Sequence, residues 1–392
     1  MASGKEDGRE KRPLTQLAQG GRSRSITGAF VNPPVVHAST VLFPDVETMR
    51  PGGQPYTYGR TGTPTIEALE TAMTELEGAA GTVLCPSGLS AISIALLSVL
   101  ASGDHLLMAD NVYDPARTFA EKVLARFGVE TTFFDPEIGG GIAALMRDTT
   151  RAVYVESPGS LTFELTDIPA MAGAAHDNGA LLIADNTWAT PYYCKPLALG
   201  ADISLLAATK YIGGHSDLML GTVSAAQSAF ARLRETYVTL GLCVGPDDIY
   251  LGLRGLRTLG IRLDHHMRSG LAVAQYLETR AEVAHVLHPG LAGHPAHALW
   301  QRDMAGASGL FGVVMDGWSQ DKTTAFLEAL RIFGLGYSWG GFESLAIPAR
   351  LRRSATDWQA AGPLIRLHVG LEDTADLIAD LDAAFQQVDN LA

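Results

Sequence analysis

Residues 180–211 read ALLIADNTWATPYYCKPLALGADISLLAATKY. Two apolar runs, 180–184 and 203–206, are short enough for buried strands and too short for helices. Asp185-Asn186-Thr187 closes the first run, and Thr209-Lys210 follows the second. Upstream, the pattern repeats. Further strands are expected at 82–85, 105–109, 129–134 and 151–155. Helices are expected between them: one capped by Thr63 with Pro64 first, lined by Ile66, Leu69, Met73 and Leu76 and ended by Gly78; one over 89–100, apolar on every side; one opened by Asp114-Pro115, with Phe119, Val123 and Phe127 on a face and Gly128 as its stop; and one over 168–176. Strands alternating with helices predict right-handed crossovers and a largely parallel sheet, hence an α/β fold.

The alternation fails near Gly255. A long helical pattern through Leu259, Leu263, Met267, Leu271 and Leu277 follows, then a strand at 364–369 and a helix striped by Leu377, Ile378, Leu381, Phe385 and Val388. Residues 1–62 lack periodicity and are rich in Gly, Pro, Arg and Ser, so they read as an extended arm that docks on a neighbouring subunit. The expected organisation is an arm over 1–62, a large domain over 63–257 and a smaller C-terminal domain over 258–392. That suits a chain of 392 residues at roughly 100–200 residues per domain. A net charge of −13 argues against general nucleic-acid binding, and three scattered cysteines give neither a disulfide framework nor a metal knuckle. The polar N-terminus and the shortness of the apolar run at 89–101 lead to the expectation of a cytoplasmic protein.

In parallel α/β sheets ligands gather at the carboxyl ends of strands. Those ends carry Asp185 and Thr187, Thr209 and Lys210, Ser87 and Gly88, Glu156 and Ser157, and Asn111 and Tyr113. A lysine near a strand end is ordinarily a solvated surface group, and Asp-Asn is ordinarily a turn or cap. Together they suit a pyridoxal phosphate site: an amine to carry the cofactor, and a carboxylate to keep its ring nitrogen protonated. Ser87-Gly88-Leu89, at the mouth of a helix, offers free N–H groups for a phosphate or is a plain strand–helix turn. Tyr113 stacks on a ring or packs. Trp339 is a pocket wall or core. His265-His266 and His294/His297 lack the partners of a metal site, His215 is a turn cap or a supporting residue, Gly139–Gly141 is no phosphate loop, and Arg350, Arg352 and Arg353 read as a solvated surface.

Several motifs occur in combination: Tyr58-Gly59-Arg60, Pro86-Ser87-Gly88, Glu156-Ser157-Pro158-Gly159-Ser160, Asp185-Asn186-Thr187-Trp188, Ala208-Thr209-Lys210-Tyr211, Gly214-His215-Ser216-Asp217, Tyr337-Ser338-Trp339-Gly340-Gly341 and Arg366-Leu367-His368-Val369-Gly370-Leu371-Glu372-Asp373. Through them, from about Tyr56 to Leu381, the chain resembles the cysteine/methionine-metabolism family of fold-type I pyridoxal phosphate enzymes. The resemblance implies a mostly parallel sheet in a large domain and a smaller α+β C-terminal domain. It implies pyridoxal 5'-phosphate as cofactor, carried by Lys210, with Asp185 at the ring nitrogen. Tyr113 would stack on the ring and take a proton from the incoming amine. Gly88, Leu89, Thr209 and Thr187 would hold the cofactor, and Tyr58 and Arg60 would reach the phosphate of a neighbouring subunit in a dimer of dimers. Arg366, Ser338, Trp339 and Tyr337 would bind substrate, Arg366 through the α-carboxylate. The implied activity is that of a carbon–sulfur lyase in methionine biosynthesis: β-elimination of L-cystathionine or a related L-cysteine S-conjugate to homocysteine or another thiol, pyruvate and ammonia. The alternatives are a γ-lyase or γ-synthase of the same family, or a non-catalytic regulator on this fold. Two departures stand out: Ala207 replaces a phosphate-binding serine, and Gly59-Arg60-Thr61-Gly62 replaces Gly-Asn-Pro-Thr.

Overall fold

The computed structural model describes residues 11–389; residues 1–10 of the expected arm and 390–392 of the expected C-terminal domain lie outside them. The first part of the chain runs α1 (Pro13–Gln19), α2 (Arg24–Thr27), α3 (Pro64–Glu77), β1 (Gly81–Cys85), α4 (Gly88–Val99), β2 (His105–Ala109), α5 (Asp114–Lys122), β3 (Glu130–Phe134), β4 (Thr150–Glu156), α6 (Ile168–Asp177), β5 (Leu181–Asp185), α7 (Thr190–Tyr193), β6 (Ile203–Leu206) and β7 (Gly221–Ala225). The remainder runs α8 (Gln227–Thr239), α9 (Pro246–Leu256), α10 (Leu259–Glu278), β8 (Val283–Leu287), α11 (His297–Asp303), β9 (Leu310–Met315), α12 (Gln320–Ala329), β10 (Leu345–Ala349), β11 (Leu364–His368) and α13 (Thr374–Asp389).

The large sheet has the order β1-β7-β6-β5-β4-β2-β3. β7 runs antiparallel to β1 and β6, and the other neighbours are parallel. Strands β1, β2, β6 and β7 are buried along their whole length, as strands covered by helices on both faces must be. Local signals set the helices. Thr63 Oγ1 accepts the Ile66 N–H at 3.2 Å, Pro64 occupies the first helical position, and Gly78 ends α3 at φ 69°.

A second, four-stranded antiparallel sheet has the order β10-β11-β9-β8. Leu277 of α10, Phe326 of α12, and Leu381 and Phe385 of α13 close its core. Among the described helices none is long and apolar enough to cross a membrane.

Three expectations need correction. The arm is not wholly extended, nor does all of it leave its own subunit. α1 and α2 bury Leu17 and Ile26 in the cluster formed with α3, and Arg257 Nη1 donates to the carbonyls of Leu17 (2.9 Å) and Gly20 (2.7 Å). Phe119 packs against the core as expected, but the buried face of α5 is Ala116, Arg117 and Ala120, and the helix tightens to a 3-10 turn at Leu124–Phe127, which breaks the four-residue spacing and leaves Phe127 exposed. The arginine cluster is only in part a solvated surface: Arg350 and Arg352 are exposed, as expected, whereas the Arg353 side chain is not. Arg353 is buried and pairs with Glu164 at 2.8 Å, and Arg352 pairs with Asp114 at 3.2 Å and with Glu121. Between them and β11, the N–H groups of Ser354, Ala355 and Thr356 all donate to Asp110, which also pairs with Arg117. Residues 350–356, on the β10–β11 connection, are therefore clasped to the large sheet beside the site.

Candidate functional site

β4 and β5 are parallel neighbours whose register sets Glu156 beside Asp185 at their carboxyl ends. Asp185 is buried. Its Oδ1 accepts the Thr187 N–H at 2.9 Å and the Thr187 hydroxyl, and its Oδ2 accepts the Tyr154 hydroxyl at 3.4 Å. Thr187 Oγ1 in turn accepts the Ala207 N–H at 2.9 Å, tying β5 to the turn after β6. Burial pushes both carboxyls up, and each repels the other's charge. Among the described residues Glu156 receives only the Tyr113 N–H, at 2.6 Å, against three donors for Asp185. Glu156 is therefore pushed up further than Asp185, whose donors favour its charged form.

Lys210 sits in the turn after β6. Burial, then the positive field of Arg366, lowers its ammonium to about 8, with Asp185 pulling the other way. Its Nζ donates to Ser338 Oγ at 2.6 Å and lies 5.1 Å from the centre of the Trp339 ring. Ser338 also accepts Arg366 Nη2 on its carbonyl at 2.8 Å. One residue thus holds the amine with its side chain and the guanidinium with its main chain. The turn that allows this is left-handed at Ser338 (φ 78°) and Gly340 (φ 84°). A Cβ at position 340 would lie 2.9 Å from Tyr211 N and 3.0 Å from Lys210 Cα, so only glycine lets the turn approach the lysine.

Arg366, on β11, is held down to about 10 by burial. Tyr113 precedes α5 and is half exposed; burial, then Glu156, raises its phenol. It is a protonated phenol at neutral pH, whereas the implied removal of a proton from an amine needs the phenolate. Tyr337, implied to bind substrate, is 91% exposed at the lip of the site.

Gly88 and Leu89 open α4, where helix geometry leaves their N–H groups without intrahelical partners and the Ser87 hydroxyl caps Ser90 instead. Leu89 is 40% exposed, so α4 is not apolar-buried at its mouth. A Cβ on Gly88 would meet Ala207 Cβ at 2.5 Å. The Thr209 hydroxyl is engaged elsewhere: it accepts the Leu220 N–H at 2.9 Å and donates to the Leu220 carbonyl at 3.1 Å. A phosphate contact through Oγ would require release of that carbonyl. Tyr58 and Arg60 stand apart from this cluster. Tyr58 bridges to Thr40, and Arg60 donates to the Val238 carbonyl at 2.9 Å. His215 is exposed and caps the Gly213 carbonyl at 2.8 Å.

Sequence reasoning gave no role to Tyr154 or His368. Tyr154 shares a face of β4 with Glu156, a period-two signal, but only the β4–β5 register brings it to Asp185. His368 shares a face of β11 with Arg366, and its Nε2 meets Gly340 N at 3.1 Å.

Comparison with known proteins matches residues 14–386 to the family model described as "Cys/Met metabolism PLP-dependent enzyme". The chain is 55% identical to a putative cystathionine beta-lyase of Rhizobium johnstonii over 91% of each chain. It is 42% identical to the cystathionine beta-lyase MetC of Escherichia coli over 97% of this chain and 99% of that one. Among solved structures, a cystathionine gamma synthase from Xanthomonas oryzae, in complex with aminoacrylate and cysteine, matches with a TM-score of 0.89 and 33% identity, covering 98% of this chain and 100% of that one. These matches give the chain a fold-type I architecture.

Proposed function

The chain belongs to the Cys/Met-metabolism family of pyridoxal 5'-phosphate-dependent enzymes, as a carbon–sulfur lyase, and we propose that its reaction is β-elimination from L-cystathionine or a related L-cysteine S-conjugate. Water is consumed, and a thiol, pyruvate and ammonia are formed.

The residues present fit the cofactor. Lys210 is a desolvated amine, Asp185 is a buried carboxylate with no arginine or lysine paired to it among the described residues, and Gly88 is a position whose missing Cβ lets the α4 N-terminus, with its free N–H groups, pack against Ala207 in the turn that leads to Lys210. Lys210 would carry the cofactor, Asp185 would meet its ring nitrogen, the N–H groups of Gly88 and Leu89 would receive its phosphate, and Tyr113 would cover the ring. When bound, the cofactor supplies an aldehyde for amines and a ring that takes up the electron pair left at the substrate's Cα.

The chain's own residues do the rest. Arg366 binds the substrate α-carboxylate, with the Ser338 carbonyl fixing its guanidinium. Lys210, freed as a neutral amine, takes the proton from Cα and then returns it to the departing sulfur. Asp185, whose charged form Thr187 and Tyr154 favour, would keep the ring nitrogen protonated. Trp339 walls the lysine from solvent.

The reading is carried by one observation: Ser338 ties the base and the carboxylate anchor to the same turn. Purified protein with L-cystathionine is expected to give pyruvate and homocysteine. The second reading, γ-elimination or γ-replacement, draws on the likeness to a cystathionine gamma synthase, and 2-oxobutyrate with cysteine as products would establish it in place of the first.

The proposed assembly is a dimer of dimers in the cytoplasm. Phe30, Leu42 and Val46 are 79%, 86% and 83% exposed on the arm, a stretch suited to cover by a second copy whose site Tyr58 and Arg60 would complete. The proposed domains remain the arm to residue 62, a cofactor domain over 63–257 and a C-terminal domain from 258.

A further inference from the structure

We propose that His368 is a positioning residue for this reaction: its ring accepts the Gly340 N–H and thereby locks the turn from which Ser338 holds both Lys210 and Arg366. The inference rests on the function proposed above and adds a residue that function does not use.

Gly340 N lies 3.1 Å from His368 Nε2. A main-chain N–H has only its hydrogen to offer, so Nε2 presents its lone pair and the ring proton is assigned to Nδ1. The Gly341 carbonyl is 3.2 Å from the same nitrogen, which cannot donate to it while accepting from Gly340. His266 agrees with this assignment. Its Nδ1 faces the Val369 carbonyl at 2.8 Å and must donate, which leaves its Nε2 an acceptor. That acceptor and the His368 Nδ1–H are both buried without a partner among the described residues, on rings whose centres are 5.4 Å apart, and they are complementary in kind.

The His368 ring is fully buried, with Tyr211 edge-on at 5.9 Å. Burial holds it far below the ordinary histidine range, so it stays neutral and can accept. The turn it grips needs such a grip. A serine at φ 78° is strained, and strained backbone persists only where its surroundings over-determine it. If Gly340 is released, Ser338 loses its fixed place relative to Lys210 and Arg366, and small displacements of a reacting pair are costly in rate.

The test compares His368→Gln with His368→Leu in the cofactor-loaded enzyme. Glutamine sets an oxygen near the place of Nε2 and can offer its amide to Gly341, while leucine fills the space without an acceptor. H368Q is expected to stay within ~3-fold of the parent, and H368L to show KM for L-cystathionine raised and kcat lowered by ~10-fold each. H368L should still retain cofactor trapped on Lys210 by borohydride, and should melt a few degrees below H368Q when cofactor-free. Equal behaviour of the two variants overturns the proposal. Solid-state 15N spectra of histidine-labelled parent protein, assigned by the signal lost in H368Q, decide the matter even if H368L does not fold: a ring proton on Nδ1 supports the proposal, and one on Nε2 overturns it. A parent enzyme that forms no pyruvate sinks the function itself, whereas an active parent with indistinguishable variants sinks only the role of His368.

Discussion

Lys210 is asked to be two things, a cation that can be desolvated and a base that can be freed, and its surroundings make both possible. Burial and Arg366 lower it to about 8, so the neutral amine is abundant at mildly alkaline pH. Capture of added cofactor by the cofactor-free protein is therefore expected to speed up as pH rises through about 8, as read by borohydride trapping on Lys210. Lys210→Ala removes both the cofactor link and the base; a general base alone is worth ~10²–10⁴-fold, and turnover is expected to fall by at least that much. The same burial has a stability consequence. Between about 8 and the ordinary value of 10.5, the unfolded chain binds a proton that the folded chain does not, so stability rises with pH across that window. Below it the charged amine is a penalty. Cofactor-free Lys210→Met is expected to exceed the parent by about 1–2 kcal/mol at pH 7, after allowance for screening in a partly open site. The gap should close above about pH 10.5. Urea melts at several pH values measure it, and an unchanged difference across pH would sink the account.

At the scale of elements, the connection between β10 and β11 joins the two sheets beside Tyr113. Asp110 ends β2's run and gathers three consecutive main-chain N–H groups from residues 354–356. Burial alone would raise its carboxyl, but those donors win and hold it at about 2. Its contribution is thus present above the ordinary carboxylate value of 3.8 and is lost as pH falls toward 2. Asp110→Ala leaves the buried Arg117 guanidinium without its carboxylate and releases three part-buried N–H groups. The expected cost is about 3–5 kcal/mol in denaturant melts at pH 7, with the gap narrowing between pH 4 and pH 2. A loss below ~1 kcal/mol would mean that the clasp is ornamental. None of this is legible in sequence. Arg352 and Arg353 look like any basic surface pair until the loop folds back on Asp114, Glu121 and Glu164.

At the scale of the whole molecule, the arm after α2 leaves Leu42 and Val46 in water, which an isolated chain gains nothing by doing. Leu42→Glu combined with Val46→Glu is expected to shift sedimentation toward smaller species and to weaken cofactor retention, since the proposed second copy supplies Tyr58 and Arg60. Unchanged sedimentation would refute the docking. The sequence by itself determined the parallel strands β1 to β6 with the helices between them, α10, β11 and α13, and which end of the large sheet carries Asp185 and Lys210, but not the antiparallel β7 or the rest of the second sheet. Those outcomes depend on apolar period, caps and glycine stops, all of them local. It also carried the family, because Asp-Asn-Thr, Ala-Thr-Lys and Ser-Trp-Gly-Gly are contiguous motifs. Only the tertiary structure decided that Tyr154 reaches Asp185, that Glu156 and Asp185 are buried side by side, that Thr209 is committed to Leu220, and that His368 stands behind Gly340. Each of these depends on the register between strands or the approach of one domain to another. Hydrogen bonds and desolvation are set by distances across the fold, which spacing along the chain does not encode.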